Sequence, residues 1–487
     1  MGRLEAIVFF TGLAVMVIEI TGARILSPYY GDTIFTWTSS ISVVLASLGV
    51  GYFLGGWLSE KTSDVRILSS LLFCAALFIG IIPFFSQSVL EMGLVIGFEY
   101  GPLFASLILL TIPNVALGMV APYAVRLKSS NLEFVGKTAG NLYAISTVGS
   151  IFGALFTGYM LIPYFGISES LFAMCAILVF IGATTLSKRV LIASVLAFTV
   201  LTIPKPQIFN FGTHVLYQTD TLYYHLMVVN FSGGLAMQTD YVTIQSLNKV
   251  NNVSDFTEYY GYQNLLDAFG PPKKILYLGL GAGEMPMYMY EHSNANIYVV
   301  EIDPEVIKVA KEFFGLVNSS RIKIYNEDAR YFLQTNKTIY NAVVLDTYGT
   351  SISMPYQLTT KETAEEIYSH LSNNGSVLIN VISPLDGQGS CVVKSLYKTF
   401  GSVFPYEYIF RVDPWNPLDA QNLMILASKR SFSEQQILSA LNGSINSTQL
   451  DWITSEQYNN FNTTECQILT DNKNPYDIYA AQAMATI

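Results

Sequence analysis

Seven apolar runs, at about 4–27, 38–58, 66–86, 102–125, 139–163, 167–187 and 190–204, fill the first 205 residues of the chain. Most approach the roughly 20 residues that a helix needs to cross the hydrocarbon core of a bilayer; the last is short. A soluble protein would need a very large domain to bury helices of this length and composition. The pattern predicts an N-terminal α-helical membrane bundle of about seven spans. The first run continues past the length of a cleavable signal peptide, and others follow it, so it reads as a span.

The charge balance agrees. Only 13% of residues are charged, against roughly a quarter in soluble domains. Residues 1–205 hold 10 Lys/Arg and 9 Asp/Glu, leaving 16 and 27 for the remainder. An acidic C-terminal half argues against nucleic acid as a partner, because phosphate binding needs a basic footprint.

Within the bundle, Gly49, Gly51, Gly55 and Gly56 form one cluster and Gly149, Gly153 and Gly158 another. Small residues let helix backbones approach closely in lipid. Pro113 and Pro122 are candidate kinks in the fourth helix. Glu19 and Arg24 are ionisable groups inside a span, and such groups face a partner or a polar pathway. Their expected role is an interhelical ion pair, with a substrate or ion path as the alternative. Lys61 and Arg66, then Arg126, Lys128 and Lys137, then Lys188 and Arg189 fall in alternate loops. The positive-inside rule places the N-terminus in the cytoplasm, and seven spans then put the C-terminal half outside.

After residue 205 the periodicity changes. His214–Tyr217, Leu222–Asn230 and Leu235–Ser246 are rich in β-branched and aromatic residues, with Phe231–Gly234 as a turn. They predict a small β-hairpin subdomain over 206–256, followed by a helix at 256–268. Strands at Ile275–Gly279, Ile297–Glu301, Ile322–Tyr325, Ala342–Asp346 and Val377–Ile382 then alternate with helices at 284–292, 304–314, 328–335, 361–371 and 389–400. That alternation builds a parallel sheet with helices on both faces. Tyr406–Arg411 and Leu423–Ala427 read as a hairpin closing the sheet edge. The α/β domain is expected over 257–430, and 431–487 reads as a C-terminal extension, helical and then irregular.

The first strand of this domain runs into Gly279-Leu280-Gly281-Ala282-Gly283-Glu284. Glycines there let the backbone turn tightly and approach a ligand at a helix N-terminus. Glu301 ends the second strand, where an acidic group can accept both ribose hydroxyls. Asp303 and Pro304 start a helix well, as an N-cap and a first-turn proline. Asp328 fits either another N-cap or an acceptor for an adenine amino group. Asp346 closes the fourth strand, and ligands of open α/β sheets bind beyond such strand ends.

The segments ILYLGLGAGEMP, IYVVEIDPEVIKVAKEFF, RIKIYNEDARYFL and YNAVVLDTYGT, taken in this order, resemble the polyamine aminopropyltransferases, the spermidine synthase family. The resemblance covers about 214–430, and the N-terminal half looks like the membrane region of fused transmembrane spermidine-synthase-like proteins. It implies a class I methyltransferase-like Rossmann domain. It also implies transfer of an aminopropyl group from decarboxylated S-adenosylmethionine to an amine, with methylthioadenosine released and no metal. By resemblance, Gly279, Gly281, Gly283, Glu284, Glu301, Asp328 and Ala329 form the nucleoside end, with Glu301 on the ribose and Asp328 on the adenine. Asp346 would orient the attacking amine and remove its proton, which the chemistry requires because an ammonium is not a nucleophile.

The sequence departs from the family at the amine end. Ala282 stands where the family carries the Asp that holds the aminopropyl amine, and Gly349 replaces its second Asp. Gly261-Tyr262-Gln263 replaces a Tyr-His-Glu run, and Tyr224 replaces a hairpin Gln. Candidate acceptor residues are therefore Tyr224, His225, Tyr262, Gln263, Tyr348, Tyr356 and Gln357, with loop packing as the alternative for the last three. Two other functions stay open: a methyltransferase using S-adenosylmethionine itself, and a non-catalytic transporter or sensor that binds a nucleoside or polyamine. The acceptor is a small amine or one presented at the membrane, and a homodimer is an open expectation.

No CxxC or Cys/His cluster points to a metal site. Cys74 and Cys175 read as small core residues, while Cys391 and Cys466 could pair in an oxidising compartment. Eight N-x-S/T sequons, at Asn230, Asn252, Asn318, Asn336, Asn374, Asn442, Asn446 and Asn462, add support for an outward-facing domain. The cytoplasmic supply of the expected cofactor argues for the other side.

Overall fold

In the computed structural model, the described residues are 2–129, 135–186, 214–223, 225–231, 234–239, 246–249, 258–268, 270–349, 353–412, 416–445, 449 and 462–484. They group into two units. The first takes in the chain to residue 212 together with Asp220–Leu222, and the second takes in most of the remainder. The run 190–204 and Tyr224 lie outside the described residues.

The first unit is helical: α1 Arg3–Tyr30, α2 Ile34–Lys61, α3 Arg66–Ile96, α4 Gly101–Lys128, α5 Val135–Phe156 and α6 Ile167–Ala183. Helix α5 continues through a π turn, Thr157–Leu161. Among the described residues, five helices are long and apolar enough to cross a membrane, and Ile167–Ala183 is a shorter apolar one. Large side chains such as Leu45, Phe53, Leu77, Val95, Leu155 and Tyr159 remain exposed on the bundle. Exposed apolar groups in such number are compatible with a membrane-facing bundle.

The glycine clusters divide by face. A Cβ at Gly51 or Gly55 would lie 2.5 Å from the carbonyl oxygens of Val115 and Met119 on α4. At Gly149 and Gly153 it would meet those of Phe9 and Leu13 on α1, at 2.1 and 2.6 Å. Each pair is spaced i,i+4, so both members share one helix face. Gly49, Gly56 and Gly158 have open space instead. Helix α4 passes both prolines as a single element. Arg24 Nη2 donates to the Thr221 carbonyl at 2.6 Å, so a backbone group answers part of its charge. Cys175 is buried and Cys74 half-buried.

The second unit begins with an antiparallel sheet of β1 His214–Asp220, β2 His225–Phe231, β3 Gly234–Gln238 and β4 Ser246–Lys249, in that order. The single strand expected at Leu235–Ser246 is thus two. The helix expected at 256–268 is instead a tight 3-10 stretch, Glu258–Asp267. There Gly261 lies against the Ser444 carbonyl, which a Cβ would approach to 2.1 Å.

The main sheet comprises β5 Lys274–Leu278, β6 Asn296–Glu301, β7 Ile322–Asn326, β8 Tyr340–Leu345, β9 Leu371–Ser383, β10 Tyr406–Arg411 and β11 Gln421–Ser428. Its order among the described residues is β10-β11-β9-β8-β5-β6-β7. The β5–β9 ladders are parallel, and β11 joins β9 and β10 antiparallel. The helices are α7 Glu284–His292, α8 Pro304–Phe313, α9 Ala329–Thr335, α10 Lys361–His370, α11 Cys391–Gly401, α12 Glu434–Leu441 and α13 Tyr476–Met484. Alternate residues of each strand feed two cores: Ile275, Tyr277, Val299 and Val344 on one face, Leu276, Leu278, Val300 and Val343 on the other. Strand order reverses between β5 and β8. That reversal opens a crevice at their carboxyl ends, the place where such sheets bind ligands.

The extension beyond 431 is bound to this unit. Cys391 and Cys466 form a disulfide with their Cα atoms 5.5 Å apart. Arg330 pairs with Glu366 at 2.9 Å and with Asp471 at 3.0 Å. Gly389 lies so close to α13 that a Cβ would come within 2.4 Å of Ala483 Cα.

Candidate active site

The crevice is lined by residues that leave the ends of β5, β6 and β8. Gly279, Gly281 and Gly283 all adopt positive φ, at 97°, 55° and 86°. Asp346 N donates to the Leu278 carbonyl at 3.0 Å, carrying the β5–β8 ladder into the loop. A Cβ at Gly279 would stand 2.1 Å from the Asp346 carbonyl oxygen. Only glycine allows these two strand ends to close on each other.

Glu301 is 7% exposed. Its Oε2 accepts from Leu280 N at 3.1 Å and its Oε1 from Asp303 N at 2.9 Å. The carboxylate therefore ties the glycine loop to the end of β6. Burial raises its pKa to about 7, partly countered by these amides. The Ile302 amide also acts on this carboxylate and lowers its pKa. Asp303 caps α8 through Glu305 N at 2.9 Å, as the sequence predicts. Asp328 caps α9 through Tyr331 N at 2.9 Å, so one of its oxygens has a structural duty. Ala329 is packed in the core beneath it and can offer a ligand only its backbone.

Tyr223, beside the predicted Tyr224 and His225, joins this end. Burial first, then the fields of Asp303, Asp328 and Glu301, push its phenol pKa up. His225 opens β2 and is half-buried.

Asp346 marks the other end. Asn380 Nδ2 donates to its Oδ1 at 3.0 Å, and Asn422 Nδ2 donates to Asn380 Oδ1 at 2.9 Å. Asp346 keeps some exposed surface, but the surrounding sheet raises its pKa to about 6, with the Asn380 hydrogen bond acting in the opposite sense. Tyr348 donates to the Asn380 carbonyl at 3.0 Å and accepts from Ile382 N at 2.9 Å. Tyr259 packs edge-on to Tyr260, centroids 4.5 Å apart. Its pKa is raised by burial and then by the carboxylates of Asp346 and Glu284. Tyr260 donates to Glu284 Oε2. Two carboxylates, Asp346 and Glu284, and three phenols thus gather near the end of β8, which sets Glu284, expected at the nucleoside end, beside Tyr260.

The other candidates for the acceptor end are placed differently. Tyr262 is fully buried and donates to the Arg411 carbonyl at 2.6 Å. Gln263, also buried, accepts from Tyr277 at 2.6 Å and donates to the Tyr260 carbonyl at 3.2 Å. Both hold the core beneath the site. Tyr356 is 56% exposed, and its carbonyl accepts from Asn474 at 2.9 Å. The Gln357 carbonyl accepts from Arg330 at 2.8 Å.

Sequence reasoning passed over Tyr223, Tyr259, Tyr260, Asn380 and Asn422. The adjacent Tyr259-Tyr260 before Gly261 was one available signal. Two Asn residues inside apolar strand runs were another, since a buried amide needs partners. Among the described residues, no group of three or more His, Cys, Asp or Glu could hold a metal ion.

A glycine loop, a buried acid at the end of the next strand and a second acid across the strand-order reversal thus converge at the carboxyl ends of β5, β6 and β8. Residues 265–411 match the spermine/spermidine synthase domain. A probable polyamine aminopropyl transferase of Bifidobacterium longum is 25% identical over 296 residues, covering 56% of this chain. The chain spans 64% of that relative's length. Polyamine aminopropyltransferase 2 of Aquifex aeolicus is 21% identical over 376 residues, covering 70% of this chain and 71% of the relative. Among solved structures, a probable spermidine synthase from Corynebacterium glutamicum aligns with a TM-score of 0.43 and 20% identity, over 55% of this chain and 97% of its own.

Proposed function

We propose that this chain is a multi-pass membrane protein whose C-terminal unit transfers an aminopropyl group from decarboxylated S-adenosylmethionine to an amine. The amine nitrogen attacks the methylene carbon next to the sulfonium. The carbon–sulfur bond breaks, its electron pair stays on sulfur, and methylthioadenosine leaves as a neutral thioether. The proton released by the acceptor passes to Asp346. The sulfonium is already a good leaving group, so alignment and proton removal are what the protein must supply.

The observation that carries this reading is the state of Asp346. One oxygen is held by Asn380, and burial brings its pKa to about 6. Such a carboxylate is ionised at neutral pH and still basic enough to take a proton. At the nucleoside end, Glu301 would hold the ribose and Asp328 the adenine side, with Tyr223 beside them. At the acceptor end, Tyr259, Tyr260 and Tyr348 with Glu284 suit an ammonium-bearing group, because phenol rings attract cations and carboxylates pair with them. The acceptor is a polyamine or an amine presented at the membrane. The five long apolar helices support anchorage in a bilayer.

A second reading, methyl transfer from S-adenosylmethionine, is favoured by one residue. Ala282 leaves the glycine loop without an acid to recognise a decarboxylated donor's amine. Full-length protein in detergent, given each donor with putrescine, separates the two. Methylthioadenosine release supports aminopropyl transfer and S-adenosylhomocysteine supports methyl transfer; neither product with putrescine, with longer polyamines and with aminolipid-containing membranes refutes both.

A further inference from the structure

The described Lys and Arg residues of the helical unit are segregated. Arg3, Lys61, Arg66, Arg126, Lys128 and Lys137 all lie at one end of the bundle or beside it, and Arg24 lies within α1. Contacts confirm that these ends are neighbours. Lys128 pairs with Glu5, and Tyr123 donates to the Asp64 carbonyl at 3.1 Å. The opposite end carries Asp32, Glu91, Glu99 and Glu169 and is closed by Tyr30 donating to the Leu90 carbonyl at 2.8 Å. By the positive-inside rule the basic end is cytoplasmic.

The chain can be followed from one end to the other within this unit. Thr185, just past α6, hydrogen-bonds to Ser69 in the first turn of α3, at the basic end. Asp220 accepts from Ile167 N at 3.1 Å, at the start of α6 and so at the acidic end. Between residues 185 and 220 the chain has therefore changed sides. The apolar run 190–204, which follows Lys188 and Arg189, has the composition for that crossing.

Two features of the second unit agree, and neither depends on the charge rule. Cys391 and Cys466 are joined in a disulfide, which persists in oxidising compartments and is rare in the cytosol. Of the six sequon asparagines among the described residues, Asn230, Asn318, Asn374, Asn442 and Asn462 are exposed and Asn336 is half-buried. Five of the six are thus open to an external modifying enzyme.

We infer that the chain crosses the bilayer between residues 185 and 220 and presents its C-terminal unit on the non-cytoplasmic side. There the Cys391–Cys466 bond forms, and the exposed sequons serve as glycan acceptors. The inference is independent of the chemistry proposed above. It constrains that chemistry by requiring the nucleoside donor and the acceptor amine to meet outside the cytoplasm.

Full-length protein in intact cells tests it with a membrane-impermeant maleimide. Asn318→Cys should label above the wild-type baseline without permeabilisation, and Lys61→Cys only after it. Labelling of Asn318→Cys that waits for permeabilisation overturns the inference. Acid-quenched cells alkylated before lysis should yield Cys391 and Cys466 as one linked peptide pair; recovery of both as alkylated thiols overturns the oxidising assignment. Glycan mass on Asn318, Asn374, Asn442 or Asn462 in protein from its native membranes supports the modification, and unmodified peptides at all four remove it.

Discussion

Asn380 donates to one carboxylate oxygen of Asp346 at 3.0 Å and is itself held by Asn422 at 2.9 Å. Asn380 lies on β9 and Asn422 on β11, both beyond the strand that ends in Asp346. The relay fixes one of the two carboxylate oxygens. It also stabilises the charged form of a group that burial would otherwise neutralise.

Asp346→Asn should keep the fold and lose the proton acceptor. Turnover is expected to fall by about 10²- to 10⁴-fold, measured as methylthioadenosine release, with an unchanged thermal transition as the check on folding. Unchanged turnover would remove Asp346 from the chemistry.

Asn380→Ala deletes the hydrogen bond that lowers the Asp346 pKa, so that pKa should rise. The acid limb of the kcat/KM profile should then move to higher pH. Loss of partners for Asp346 and Asn422 should cost about 1–3 kcal/mol of stability. A lower melting temperature with an unmoved acid limb would leave Asn380 a purely structural role.

Glu301 titrates at about 7 in the free protein. Ribose hydroxyls donate to its charged form, so donor affinity should rise with pH up to about 7 and then level. Glu301→Gln should flatten that dependence. It should also weaken donor binding by about 10- to 100-fold, the worth of hydrogen bonds to a charged group. Titration calorimetry across pH 5.5–8.5 reads both effects.

Glu407, on β10, has a pKa raised from 4.5 to about 8 by burial, with a hydrogen bond from Gly401 N in the opposite sense. Between those values the folded state holds a proton that the unfolded chain has released. Its contribution to stability is therefore fully present below about 4.5 and lost as pH rises through about 8. Glu407→Gln should make the melting temperature of the C-terminal unit less dependent on pH across that window, as followed by scanning calorimetry.

Gly279→Ala meets both a φ of 97° and an Asp346 carbonyl 2.1 Å from the new methyl. The backbone conformation alone should cost about 1–2 kcal/mol. Displacing the Asp346 backbone should abolish activity even where the protein remains folded, as turnover and a thermal melt on the same sample would show.

Much of the framework was legible in the sequence. The strands from Ile275 to Ala427 and the caps at Asp303 and Asp328 follow from periodicities of two and 3.6 and from local capping chemistry. The placement of Glu301 at the end of β6 and of Asp346 just past β8 was legible for a similar reason, the lengths of the apolar strand runs. The acceptor end was harder to read. Tyr262 and Gln263 looked like ligand-facing polar groups, but their partners are Arg411 and Tyr277, far away in sequence.

What the sequence determined by itself is what local pattern controls: a run of long apolar helices, a parallel sheet with its glycine turn, and two acids at strand ends. Only the tertiary structure decided which glycines touch a neighbouring helix, that Cys391 meets Cys466, and that Asn380 and Asn422 stand behind Asp346. Those relations join residues that are tens to hundreds of positions apart. They depend on strand order and helix docking, which no local periodicity encodes.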